Sequence, residues 1–192
     1  MLGMMILSRV IGGGMALARA ELTGPSLSRL RPKLKQTAFA LWGLYLFLTL
    51  LEFLLLYFSG SMNLFDSVNH SLTTMPSGGF STRDASIGFY DSFLVESIII
   101  VFMFLAGVNF TLLWFIRDGD FKRAFGDVEF RNYVVYVTVG ILAVFVALVA
   151  SGTSAGRALR NSMFQVVSIG TSTGYTSTDY MDASWPLVTH LI

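Results

Sequence analysis

The hydrophobic positions fall into three long runs bounded by charge. Thr37–Phe58 is broken only by Glu52, Phe93–Ile116 carries Glu96 near its start and Asn109 inside, and Tyr133–Ala150 has no charged residue. A bilayer core needs roughly 20 apolar residues in helical form, and each run can span it. Met1–Leu17 is apolar apart from Arg9 but broken by Gly12, Gly13 and Gly14. Without a convincing small-x-small cleavage site behind it, this stretch reads as the tail of a membrane helix rather than a signal peptide. Between the first two runs, Asn63–Met75 has the pattern of a short helix. Asn63 is a candidate N-cap, Asp66 suits the positive dipole end, and Leu64, Phe65, Val68 and Leu72 share one broad face. Some dozen residues cannot span, so this helix is re-entrant or interfacial, and Pro76 ends it.

Composition agrees with a membrane protein. Of 192 residues, 54% are hydrophobic and 13% charged, against about 25% charge in a soluble domain; the mean hydropathy is +0.65. A formal charge of +1 excludes a nucleic-acid binder working through a basic face. The absence of Cys excludes disulfide frameworks, Cys-ligated zinc and thiol nucleophiles, and two His argue against a His-rich metal site. Nine of the 13 cations lie in Arg19–Lys35 and Arg117–Arg131. By the positive-inside rule both segments face the cytoplasm, which places Ser59–Ser92 and the residues after Ser151 on the outer side.

The outer segments repeat one another. At an offset of 95, Asn69–Asp84 lies over Phe164–Asp179, so that Ser77 meets Ser172, Gly79 meets Gly174, Phe80 meets Tyr175, Ser81 meets Thr176 and Asp84 meets Asp179. The run Tyr133–Ala150 takes the place of Thr37–Phe58, giving one complete unit of helix, short helix, glycine loop and helix, followed by most of a second. Irregular backbone at membrane depth is tolerated only where it lines a protein-buried or water-filled path. A short helix aiming its C-terminal end at such a loop favours a cation there, and carbonyls of a glycine-containing loop can replace a cation's hydration shell. A weakly hydrated monovalent cation is the expected ligand.

Three stretches, GGGMALARAELTGP at Gly12–Pro25, FDSVNHSLTTMPSGGFSTRDASIGFYDS at Phe65–Ser92 and SMFQVVSIGTSTGYTSTDYMDASWP at Ser162–Pro186, resemble the Trk/Ktr/HKT superfamily of potassium uptake proteins, and within it the TrkH family. The resemblance covers nearly the whole chain. It implies an all-α, polytopic membrane protein built of helix, pore helix, filter loop and helix repeats, four of which surround one pore in the cytoplasmic (inner) membrane. On this reading residues 1–24 end the first repeat, 25–131 are the complete second, and 132–192 are the third, cut before its last helix. The implied K+ ligands are the backbone carbonyls of Ser77, Gly78, Gly79 and Phe80 in one filter loop and of Ser172, Thr173, Gly174 and Tyr175 in the other, with Gly79 and Gly174 the essential glycines. The resemblance further implies no cofactor beyond the transported K+, membrane lipid as surroundings, a homodimer of full-length subunits, and a cytosolic nucleotide-binding regulatory subunit.

Other polar residues have rival readings. Glu96 is expected to reach interfacial water, and Glu52 to lie either at the interface or in a pore vestibule. Asp66, Asp84, Asp91, Asp179 and Asp182 could concentrate cations at an outer mouth or simply solvate and cap. His70 reads as a hydrogen-bonded residue behind the filter rather than a metal ligand, and Arg83 as a partner of Asp84 rather than an electrostatic barrier. Trp42, Tyr45, Trp114 and Trp185 read as interfacial anchors. Two alternatives to a working pore are an inactive fragment that needs the missing repeats, and an intramembrane aspartyl hydrolase suggested by the pairs Tyr90-Asp91 and Asp179-Tyr180. Both Asp residues of that alternative fall in loops outside the spans, and no Ser-His or His-Glu zinc constellation replaces them, so the expected class is a transporter and not an enzyme.

Overall fold

The structure is a computed structural model that describes residues 34–109, 112 and 119–178. The chain divides into a unit up to Leu44 and a unit from Tyr45 onward. The described part of the first is the N-terminal portion of one helix, and all other described elements belong to the second. Outside the described residues lie Met1–Leu17 with its glycines, the basic segment up to Lys33, the Gly12–Pro25 motif, Trp114, Trp185, Asp179, Tyr180 and Asp182.

Six α-helices and one 3-10 helix are described, in the order α1 Leu34–Phe58, α2 Leu64–Thr74, the 3-10 helix Ser86–Tyr90, α3 Phe93–Gly107, α4 Phe121–Gly126, α5 Val128–Ala150 and α6 Ala155–Gly170. Helices α1 and α5 are long and apolar enough to cross a membrane. Their apolar side chains stay largely outside the core: Leu46, Phe47 and Leu50 on α1, and Val135, Val139, Leu142 and Val146 on α5, are all more than half exposed. In water such surfaces would be a liability; in lipid they are the natural exterior.

Helix α5 starts five residues before the expected Tyr133. Asp127 caps it, accepting from the backbone N–H groups of Glu129 and Phe130 at 2.9 and 3.2 Å, and Glu129 stands in the positive first turn. Helix α3 corrects the expected span in the other direction, because it stops at Gly107 and not at Ile116. At about 1.5 Å per residue it is only ~22 Å long, short of a ~30 Å hydrocarbon core. Its end lies against α5: the Tyr133 hydroxyl donates to the Phe104 carbonyl at 3.1 Å, and a Cβ on Gly107 would collide with the Tyr133 Oη. Phe110, Thr111 and the residues 113–118 lie outside the described residues.

Helices α5 and α6 form the most extensive helix pair, drawn close where Gly140 faces Val166. Helix α3 packs against both α6 and α2. The core these elements share holds Leu56, Met62, Ile87, Val95, Ile99, Met103, Val137, Phe164, Val167 and Tyr175. It thus draws on both copies of the repeat.

Candidate functional site

Helix α2 has the expected bounds and cap. The Asn63 side chain accepts from the Asp66 N–H at 2.7 Å, and the helix ends at Thr74 with Met75 as its C-cap; Met75 keeps helical angles, so it is the N–H missing from Pro76 that stops the ladder. Its polarity is inverted relative to a soluble helix. Asp66, Ser67, His70, Ser71 and Thr74 are the buried residues, while Leu64, Phe65, Val68 and Leu72 face outward. The second short helix, α6, begins one turn earlier than the offset of 95 predicts, since Ala155 corresponds to Gly60.

Beyond each helix the two glycine loops adopt the same backbone. Ser77 and Gly79 have φ of 56° and 61°, and Ser172 and Gly174 have φ of 59° and 85°. In the first loop the N–H groups of Ser77, Gly78 and Gly79 donate to Thr74, Thr73 and Thr73 carbonyls at 2.9, 2.8 and 3.2 Å. In the second those of Ser172, Thr173 and Gly174 donate to Ile169, Ser168 and Ser168 at 2.9, 2.9 and 3.2 Å. A helix hydroxyl then secures the last loop carbonyl: Thr73 Oγ1 bonds the Phe80 oxygen at 2.9 Å and Ser168 Oγ the Tyr175 oxygen at 2.7 Å. Every one of these contacts maps onto its counterpart at the offset of 95.

This pattern consumes the loop N–H groups and leaves the carbonyls. Among the described residues no hydrogen bond reaches the carbonyl oxygens of Ser77, Gly78, Gly79, Ser172, Thr173 or Gly174. The loops also touch, because a Cβ on Gly79 would overlap the Thr173 carbonyl oxygen. The two glycines therefore differ: Gly79 needs both its left-handed backbone and its missing side chain, whereas Gly174 has open space where a Cβ would stand.

The aromatic residues at equivalent positions have opposite fates. Phe80 is 75% exposed and Tyr175 1%. Tyr175 reaches behind the first loop, where its hydroxyl lies 2.6 Å from Thr73 Oγ1 and donates to the His70 carbonyl at 3.2 Å. The 3-10 helix braces the same region, with the Gly88 N–H donating to the Thr176 carbonyl at 3.1 Å and the Thr176 N–H to Ser86 Oγ at 3.3 Å. His70 is fully buried. Its Nδ1 lies 2.7 Å from the Asp66 carbonyl, which can only accept, so Nδ1 carries the proton and Nε2 accepts from Ser81 Oγ at 3.0 Å. With both ring nitrogens committed, and burial holding its pKa below the usual histidine range, His70 is a neutral packing residue behind the loop.

The charges correct the expectations. Arg83 pairs with Asp66, not Asp84: Nη2 lies 2.8 Å from Asp66 Oδ2, and the guanidinium stands 4.5 Å over the Phe89 ring. Burial would raise the Asp66 carboxyl, but hydrogen bonds from Thr82, at 2.6 Å, and Arg83 hold it below the usual carboxylate range. Glu96 does not reach water. It is buried and held by Arg160 of α6, whose Nε and Nη2 donate to its two oxygens at 2.6 and 3.0 Å. Arg160 also reaches Asp91 at 3.2 Å. Glu52 lies neither at an interface nor in an open vestibule, since it is wholly buried and neither carboxyl oxygen has a hydrogen-bond partner. The Arg160 pair escaped sequence reading; its one visible signal was Glu96, an acid inside an apolar run that needs compensation.

Residues 1–190 match the model of the TrkH family, described as a cation transport protein. The chain is 39% identical over 181 residues to the Trk system potassium uptake protein TrkH of Vibrio parahaemolyticus, covering 91% of this chain and 37% of that protein. With the protein of the same name from Escherichia coli K12 it shares 40% identity over 179 residues, covering 91% and 36%. The fold matches the crystal structure of the potassium transporter TrkH from Vibrio parahaemolyticus with a TM-score of 0.80 at 35% identity, over 92% of this chain and 38% of that one. The chain thus spans little more than a third of the length of these relatives. Their likeness in sequence and in fold, joined to the duplicated glycine loops, shows that the chain belongs to the TrkH family of cation transport proteins.

Proposed function

We propose that the chain serves potassium uptake across the cytoplasmic membrane, as a multi-pass protein whose glycine loops select K+ through their backbone carbonyls. The observation that carries this reading is the pair of loops with one backbone and six carbonyl oxygens that no N–H or O–H among the described residues engages. Oxygens left unpaired in an ordered loop suit an ion that sheds its water, and a weakly hydrated monovalent cation sheds it at least cost. The ligands are Ser77, Gly78, Gly79 and Phe80 with Ser172, Thr173, Gly174 and Tyr175; Phe80 and Tyr175 each offer the second lone pair of an oxygen already held by a hydroxyl. The names of the relatives, potassium uptake proteins, support the choice of ion. The repeats at 1–24, 25–131 and 132–192, a homodimer of longer subunits and a cytosolic nucleotide-binding regulatory subunit complete the proposal. No cofactor enters it.

The hydrolase alternative loses its first acid, because Asp91 lies outward and is engaged by Arg160. The test is rubidium uptake in a potassium-uptake-deficient Escherichia coli host, with this chain replacing the matching segment of the host's own TrkH. Restored uptake is expected from that chimera and none from the chain alone. A chimera that inserts in the membrane yet transports nothing would overturn the proposal.

A further inference from the structure

Glu52 stands inside a membrane-crossing helix, fully buried, with both carboxyl oxygens unpartnered. Its polar neighbour is the Thr74 hydroxyl at the end of α2, with Tyr175 close by. Thr74 leads directly to the first glycine loop. The Thr74 carbonyl accepts from the Ser77 N–H at 2.9 Å, the first hydrogen bond of the loop. The single proton of Thr74 is directed at the His70 carbonyl at 2.7 Å, so the same oxygen remains as an acceptor for a donor on the Glu52 side. A carboxylate here would set lone pairs against lone pairs and leave an uncompensated buried charge, whereas a carboxylic acid brings a donor for that oxygen. The second copy has Ala147 at the corresponding position, so the repeat itself does not require an acid there.

We propose that Glu52 acts as a neutral acid that donates to Thr74 and so fixes the end of α2 from which the first loop is hung, making it a positioning residue for that loop and for the choice of K+ over Na+. This rests on reading the loops as a filter. Two measurements test it. In the chain reconstituted in lipid, infrared spectroscopy should show the C=O stretch of a protonated buried carboxyl that disappears in Glu52→Gln; a spectrum unchanged by the substitution overturns the neutral acid whatever the loops do. In the uptake chimera, with rates normalised to protein in the membrane, Glu52→Gln should keep the K+ over Na+ preference, since an amide N–H can replace the acid's donor. Glu52→Leu, similar in volume but without a donor, should lower the preference about tenfold, the worth of one buried hydrogen bond. A Leu variant as selective as the parent reduces Glu52 to core filler, and a Gln variant as poor as Leu shows that charge is required; either overturns the proposal. A parent chimera that transports without preferring K+ refutes the filter reading instead, and the infrared band still decides the acid.

Discussion

Replacing each loop glycine by alanine separates two requirements that look the same in sequence. Both residues sit at positive φ, 61° for Gly79 and 85° for Gly174. Placing an L residue there costs about 1–2 kcal/mol. At Gly174 nothing lies within 4 Å of the new Cβ, so that backbone cost is the whole effect. At Gly79 the Cβ would overlap the Thr173 carbonyl, a backbone atom that cannot swing aside. The loops must then part, which adds the roughly 1–3 kcal/mol of an overpacked contact. A chain of this size loses about 2–4 °C per kcal/mol. Gly174→Ala should therefore lower the melting temperature in detergent by about 2–8 °C, and Gly79→Ala by several degrees more. Equal shifts for the two variants would refute the abutment of the loops, and a larger shift for Gly174→Ala would reverse it.

Arg160→Ala strands Glu96 as a buried unpaired charge and should cost about 3–5 kcal/mol in thermal unfolding; the double variant Arg160→Met with Glu96→Leu should recover most of it. Tyr175→Phe removes a hydroxyl shared by Thr73 and the His70 carbonyl and should cost about 1–3 kcal/mol, whereas Phe80→Tyr, on an exposed side chain, should stay within about 0.5 kcal/mol. The Asp66 carboxyl titrates below its unfolded value of about 3.9. Its pair with Arg83 therefore contributes in full above that value and is lost as the pH falls through the lower folded pKa. Unfolding followed from about pH 6 to about pH 2 should show that acid loss, and Asp66→Asn should flatten it.

The bounds of α2 were legible because local chemistry sets them: Asn63 caps and Pro76 stops, each within a turn of the helix it defines. The equivalence of the loops was legible for a different reason. One offset aligns the residues whose φ must be positive, and the backbone repeats with them. What the chain concealed were contacts between distant residues. Glu96 meets Arg160 across 64 positions, and Tyr175 enters a pocket lined by Thr73, Thr74 and His70. Hydropathy marks neither, because it records the cost of burying a charge and not the partner that offsets it. The early end of α3 was hidden likewise, since Gly107 and Val108 read as apolar while the approach of Tyr133 decides how far the helix can run. The inverted face of α2 follows from surroundings that a helical pattern does not encode: polar residues turn toward the loop they support, and apolar ones toward the exterior.

Whether the loop carbonyls choose K+ is decided by the K+ over Na+ uptake ratio of the chimera carrying Gly174→Ser. That side chain has room, so the protein should still insert and transport, but the strained φ turns the neighbouring carbonyls away from their common target. A ratio that falls toward unity while total cation flux persists is the expected result. A ratio unchanged from the parent chimera, at equal protein in the membrane, would show that the ion is chosen elsewhere.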